Sequence, residues 1–166
     1  FRGLNNLEDI TLDPRYSALC GYTQTELEQH FGEHLQGADM SLVRSWYNGY
    51  NWLGESVYNP FDVLLFISKG KEFLPYWFET ATPSFLVDIL RKRQFHLPDL
   101  EAVRMDYKAL GDFDVDRIHV ETLLFQTGYL TIKDKKLPFM GGLPEYTLSY
   151  PNNEVRYSLM SYLLEN

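Results

Sequence analysis

One cysteine in 166 residues, Cys20, leaves no partner for an intrachain disulfide, and such usage suits a reducing cytoplasm. No apolar run approaches the length of roughly 18 residues that a membrane-spanning helix needs, and no leader peptide is expected. Positive charge is scarce: 15 Lys and Arg stand against 23 Asp and Glu, a net charge of −8. That balance repels a phosphate backbone at long range and disfavours a free-standing nucleic-acid binder unless cations concentrate locally. A phosphate loop is also missing, because Lys69-Gly70-Lys71 has no glycine five residues ahead and no Ser or Thr behind either lysine. No nucleophile-elbow pattern surrounds any serine, so a catalytic triad has no support.

Apolar residues are plentiful instead, at 45% with 16% aromatic, enough for a substantial core. The chain is organised around residues 46–68, WYNGYNWLGESVYNPFDVLLFIS, in which an aromatic loop joins two helices. Asn59-Pro60 reads as an N-cap followed by the residue best suited to a first helical position. The cap is expected to accept a backbone N–H from Asp62 or Val63, and Asp62 suits the positive end of the helix dipole. Val63, Leu64, Leu65, Phe66 and Ile67 follow, so this helix is expected to be apolar nearly all round and buried on more than one side, Leu64 included.

Elsewhere the punctuation is just as local. Thr23 and Glu26 form a capping box, with Tyr22 and Leu27 as its staple, and Gly32 closes that helix. Asp39 caps a second helix carrying Val43, Trp46, Tyr47 and Tyr50 at helical spacing. Thr82-Pro83 repeats the cap-then-proline signal before Phe85, Leu86, Ile89 and Leu90, and Arg91-Lys92-Arg93 end that helix. Residues 95–113 are ambiguous, with breaks at Pro98 and Gly111. A helix around Leu123 and Leu124 closes at Gly128. YLTIK (129–133) and YTLSY (146–150) alternate as two short strands, and Asn152 or Asn153 caps a last helix. The resulting expectation is a mainly α fold: a helical, lid-like bundle over residues 1–113, then a winged-helix-like unit with one small antiparallel hairpin over 114–166.

Two short motifs match metal chemistry by letter. His30-Phe31-Gly32-Glu33-His34 is an H-x-x-E-H, but that chemistry needs both imidazoles on one face of an unbroken helix, and Gly32 falls between them. Pro98-Asp99 with Asp106-Tyr107-Lys108 spells PD…DxK. Only six residues separate its two acids, too few for the paired strands that would converge on a metal. Solvated helix-end histidines, and a polar loop with a short strand, are the plainer readings. No metal site is therefore expected. Lys133, Lys135 and Lys136 on the hairpin could touch a nucleic-acid phosphate, although a hairpin turn explains them equally well.

Taken together, GLNNLEDITLDPRYSALCGYT, WYNGYNW with VYNPFDVLLFIS, YWFETATPSFLVDIL, LLFQTGYLTIK and SYPNNEVRYSL resemble, in that order, the bacterial AAA-ATPase-like family. Its members often carry a C-terminal PD-(D/E)xK nuclease domain. The resemblance spans essentially the whole chain. It implies an ATPase core, with ATP and Mg, upstream of Phe1 and a nuclease domain beyond Asn166, so that both ends read as cut from a longer parent. It also implies that the loop carrying Tyr50, Tyr58, Asn59 and Pro60 lies where related ATPases start the lid helix that approaches the nucleotide. The expected function is a regulatory or interaction part of a cytoplasmic AAA-ATPase-like protein, with no catalysis and no cofactor of its own. The alternatives are a stand-alone winged-helix-like module binding protein or DNA, and a metal-dependent hydrolase or nuclease.

Overall fold

A computed structural model describes residues 7–81, 86, 89–90, 97–111, 119–139 and 141–164. After a 3-10 turn at Pro14–Tyr16 come α1 (Gln24–Phe31), α2 (Met40–Tyr47), α3 (Pro60–Ser68) and α4 (Tyr76–Ala81). Then follow a 3-10 turn at Leu97–Glu101, β1 (Val103–Asp106), α5 (Tyr107–Leu110), α6 (Val120–Gln126), β2 (Thr131–Lys136), β3 (Glu145–Ser149) and α7 (Asn153–Leu164). Leu86, Ile89 and Leu90 are helical as expected, whereas Arg91, Lys92 and Arg93 lie outside the described residues.

The expected mainly α fold with a lone hairpin is overturned. The molecule is mixed α/β, with an antiparallel three-stranded sheet in the order β1-β3-β2. The extra strand comes from the stretch that was ambiguous in sequence. β1 sets Val103 opposite Leu148 and Met105 opposite Tyr146, across more than 40 residues of chain. Four residues with two apolar positions carry almost no periodic signal; the pairing exists because β3, apolar at Tyr146 and Leu148, offers a second free edge. β2 also starts two residues later than its alternation suggests. It runs on through Asp134, Lys135 and Lys136, past an irregularity in register between Ile132 and Asp134.

Helix starts match their sequence signals. The Glu26 N–H donates to Thr23 Oγ1 and the Thr23 N–H to Glu26 Oε2, closing the capping box. Asp39 accepts from Ser41 and Leu42, and Asn152 accepts from Val155. Asn59 caps α3, but through the Phe61 N–H at 3.0 Å rather than through Asp62 or Val63. α3 buries Asp62, Val63 and Phe66 and half-buries Leu65 and Ile67, but it does not bury Leu64. Val63 and Phe66 are buried, while Phe61 and Leu64 are 43% and 48% exposed, so one flank of the helix meets solvent.

Two apolar clusters hold the chain together. The first gathers Leu27, Leu35, Val43, Tyr47, Tyr58, Val63, Phe66 and Tyr76 from the first four helices and the loop before α3. The second packs Phe78, Leu86, Leu90, Leu100 and Leu124 against the sheet and against Val155 and Leu159 of α7. Between them runs the loop of residues 48–58. Its Gly49 has φ +110°, and a Cβ there would strike the Pro151 carbonyl, so only glycine allows this approach. Asn51 N–H donates to Thr131 Oγ1 at 2.7 Å and the Thr131 hydroxyl returns a bond to Asn51 O, tying the loop to β2.

These burials rank three substitutions. Phe66→Ala leaves a cavity and is expected to cost about 3–5 kcal/mol. Asn59→Ala removes one cap bond and should cost about 1 kcal/mol. Leu64→Ala, on the open flank, should stay within about 0.5 kcal/mol. Urea unfolding of the three variants checks the order, and a Leu64→Ala penalty equal to that of Phe66→Ala would refute the assigned faces of α3.

Candidate functional site

A cleft of about 940 Å³ opens between the 48–60 loop, α4, α5 and the end of α6. Tyr50, Tyr58, Asn59 and Pro60 all line it. Four residues singled out from sequence therefore share one wall. Trp52, Trp77, Tyr107 and Phe125 add further aromatic surface, and Tyr50 and Trp52 stack at 6.3 Å between centroids. Gly128 lies in the floor at φ +86°, a conformation that favours glycine, and a Cβ there would make only ordinary contact with the Trp77 and Tyr50 rings. Charge in the lining is sparse. Asp9 accepts from the Thr11 N–H, and Lys108 makes no hydrogen bond or ion pair with a described residue. Such a wall suits flat, apolar surface with a few polar contacts, the usual make-up of a small-molecule pocket.

Behind this wall sits a group that sequence reading missed. The backbone N–H of Trp77, in the first turn of α4, donates to both Asp62 Oδ1 at 2.9 Å and Glu154 Oε1 at 3.0 Å. Phe78 N–H also donates to Glu154 Oε1, at 3.1 Å. Asp62 lies on α3 and Glu154 on α7, and both are fully buried. Among the described residues neither is paired with a cation, and the second oxygen of each carboxyl has no hydrogen-bond partner of ordinary geometry. Asp62 was expected to serve the dipole of its own helix; instead it serves the N-terminus of α4. The available signal was a carboxylate set inside an apolar run, in a helix too hydrophobic to expose that face.

Burial pushes both carboxyls above their ordinary range, Glu154 further, with repulsion from Asp62 added to its desolvation. The Tyr50 phenol is pushed up as well, chiefly by burial and then by Glu154 and Asp62. Its hydroxyl faces the Asn59 and Asn152 side chains without making a hydrogen bond of ordinary geometry.

The other sequence candidates lie apart. Lys133 reaches the Pro151 carbonyl at 3.3 Å, Lys135 sits 6.0 Å from the centre of the Tyr146 ring, and Lys136 lies 3.9 Å from Asp134. His30 is exposed in the last turn of α1, and His34, also exposed, lies beyond the Gly32 cap. Asp106 caps α5 through the Ala109 N–H at 2.8 Å, while Asp99 is exposed on the 3-10 turn. Among the described residues no group of three His, Cys, Asp or Glu side chains is placed to hold a metal ion. No described helix is long and apolar enough to cross a membrane.

Comparison with known proteins gives one informative match. An Azotobacter chroococcum mcd 1 protein described as "Uncharacterized protein in vnfD 5'region" is 54% identical over 164 residues, covering 99% of this chain and 31% of that protein. The chain thus spans about a third of the length of the curated relative it matches. No protein-family model and no solved structure matches the chain.

The carboxyl pair predicts how stability follows pH. A carboxyl whose pKa is raised on folding binds its proton more tightly in the native state than in the unfolded chain. Its contribution is full below the ordinary carboxylate range and is lost as pH rises toward the folded value. Stability is therefore expected to decline from about pH 4 upward through neutrality. Glu154→Gln, which keeps the Oε1 acceptor and cannot ionise, should flatten much of that decline. Melting temperatures of both proteins from pH 4 to 9 test this, and parallel curves would count against it.

Proposed function

We propose that this chain is a mixed α/β C-terminal part of the ATPase module of an AAA-ATPase-like protein, a regulatory or interaction element without catalysis of its own. The observation that carries the reading is the convergence of Tyr50, Tyr58, Asn59 and Pro60 on one aromatic cleft. Their loop resembles the lid element that approaches nucleotide in related ATPases. In the parent, the cleft turns toward an upstream core that holds ATP and Mg, and a nuclease domain follows downstream. A relative matched over 99% of this chain but only 31% of its own length supports reading the chain as one part of a longer protein. The single Cys20 fits a cytoplasmic setting.

A DNA-binding role draws less support. Lys133, Lys135 and Lys136 each have a neighbour within the chain, and the net charge is −8. Duplex DNA is expected to bind weakly at physiological salt. A submicromolar, sequence-dependent affinity in a fluorescence-anisotropy titration would reverse the ranking.

Two measurements test the main reading. Phosphate release from ATP by the isolated chain should not exceed a no-protein control. In the longer parent, Asn59→Ala should raise the Kd for ATP at least threefold at a temperature where the variant is fully folded. Normal ATP binding alongside a lowered melting temperature would reduce Asn59 to a helix cap and remove the cleft from the nucleotide's neighbourhood.

A further inference from the structure

Two oxygens that accept from one N–H must stand side by side, and Asp62 Oδ1 and Glu154 Oε1 do so at the Trp77 N–H. We propose that a single proton shared by Asp62 and Glu154 latches α4 to α3 and α7, and that its loss loosens Trp77 on the cleft wall. This goes beyond the reading of the cleft and stands whether or not a nucleotide ever approaches it.

The geometry leaves the pair few other ways to be satisfied. Each carboxyl uses one oxygen on backbone N–H donors and keeps the other buried without a partner. No Lys, Arg or His among the described residues bonds either group. The titratable groups that face the pair are phenols: Tyr47 from α2, Tyr50 from the following loop and Tyr76 from α4. All three are pushed above the ordinary tyrosine range, mainly by burial, so they stay neutral while the carboxyls titrate. The unpartnered Tyr50 hydroxyl and Asn152 Nδ2 are polar atoms beside the pair, but neither carries a charge to balance a second carboxylate.

With one proton, a carboxylic acid donates to a carboxylate and the pair carries one negative charge against two α4 N–H groups. Without it, two carboxylates face each other in a buried site, a repulsion that one element must relieve by moving. All three elements have buried anchors, Val63 and Phe66 on α3, Val155 and Leu159 on α7, Tyr76 and Phe78 on α4; α4, six residues against nine and twelve, is the shortest and the one assigned the movement. Trp77 is where the movement shows. Its ring packs on Tyr129 at 5.1 Å and lines the cleft, so a shift of the Trp77 backbone changes the cleft wall.

The test is fluorine NMR of the whole chain labelled with 5-fluorotryptophan, resonances being assigned through Trp46→Phe and Trp77→Phe. Between pH 5 and 10 the Trp77 signal should move in one titration step while the Trp46 signal stays put. In Glu154→Gln the Trp77 step should vanish. A Trp77 signal flat across that range, or an unchanged step in Glu154→Gln, overturns the latch. Should Glu154→Gln not fold, Asp62→Asn carries the same expectation. The carbon-13 shifts of the Asp62 and Glu154 carboxyls in the unaltered chain decide independently: one proton held between the two at pH 7 supports the proposal, and both carboxyls ionised at pH 7 refutes it.

Discussion

The fold turns on the unmet donors at the start of α4. A helix leaves its first N–H groups without intrahelical acceptors, and here those groups are buried between two cores where water cannot serve them. Tyr76 N–H finds Leu74 O at 3.0 Å, and the next two donors take Asp62 and Glu154. Each carboxyl carries a desolvation cost that a lone buried acid would meet by taking up a proton. Two acids meet it together, one proton serving both. Replacing the pair with apolar residues would leave Trp77 and Phe78 N–H unsatisfied, a loss of the kind that exceeds the worth of an ordinary hydrogen bond. Three elements distant in sequence are thereby fixed at one point, and the cleft wall inherits its position from that point.

The loop of residues 48–58 follows from the same constraint. Once α3 and α7 are drawn together, the chain between α2 and α3 must pass close to the segment that opens α7. Gly49 makes the passage possible by presenting no Cβ to the Pro151 carbonyl. Past that contact the Tyr50–Val57 bridge and the Asn51–Thr131 bonds turn the loop outward, which sets Tyr50 and Trp52 against the opening rather than inside either core. The cleft is thus a by-product of joining two clusters through a tight crossing, and the crossing makes it aromatic.

What could be read from sequence sorts by distance along the chain. Thr23 with Glu26, Asp39 and Asn59 with Pro60 announce helix starts because each cap acts on residues two or three positions away. β1 escaped because its only reason to be a strand is β3, more than 40 residues later. The open flank of α3 escaped for a related reason: Phe61 and Leu64 look identical to buried residues until the packing of α1, α2 and α4 is known. The Asp62–Glu154 pair was the least legible, since its partners are 92 positions apart and neither lies in a motif. Burial, not spacing, makes an ordinary acid consequential.

Proximity to the cleft and its chemistry come from different sources, and they agree in one place. The loop from Tyr50 to Pro60 was marked by resemblance to a lid element; the wall it forms with Trp77, Lys108 and Phe125 comes from coordinates alone. Tyr58, Asn59 and Pro60 are consecutive, and a bridge sets Tyr50 against Val57, so the path of the loop itself brings all four to one concavity. The hairpin lysines lie away from this cleft, exposed on β2 with Pro151, Tyr146 and Asp134 as neighbours. The aromatic loop thus lines a cavity, while the lysines stand exposed on a strand of the sheet.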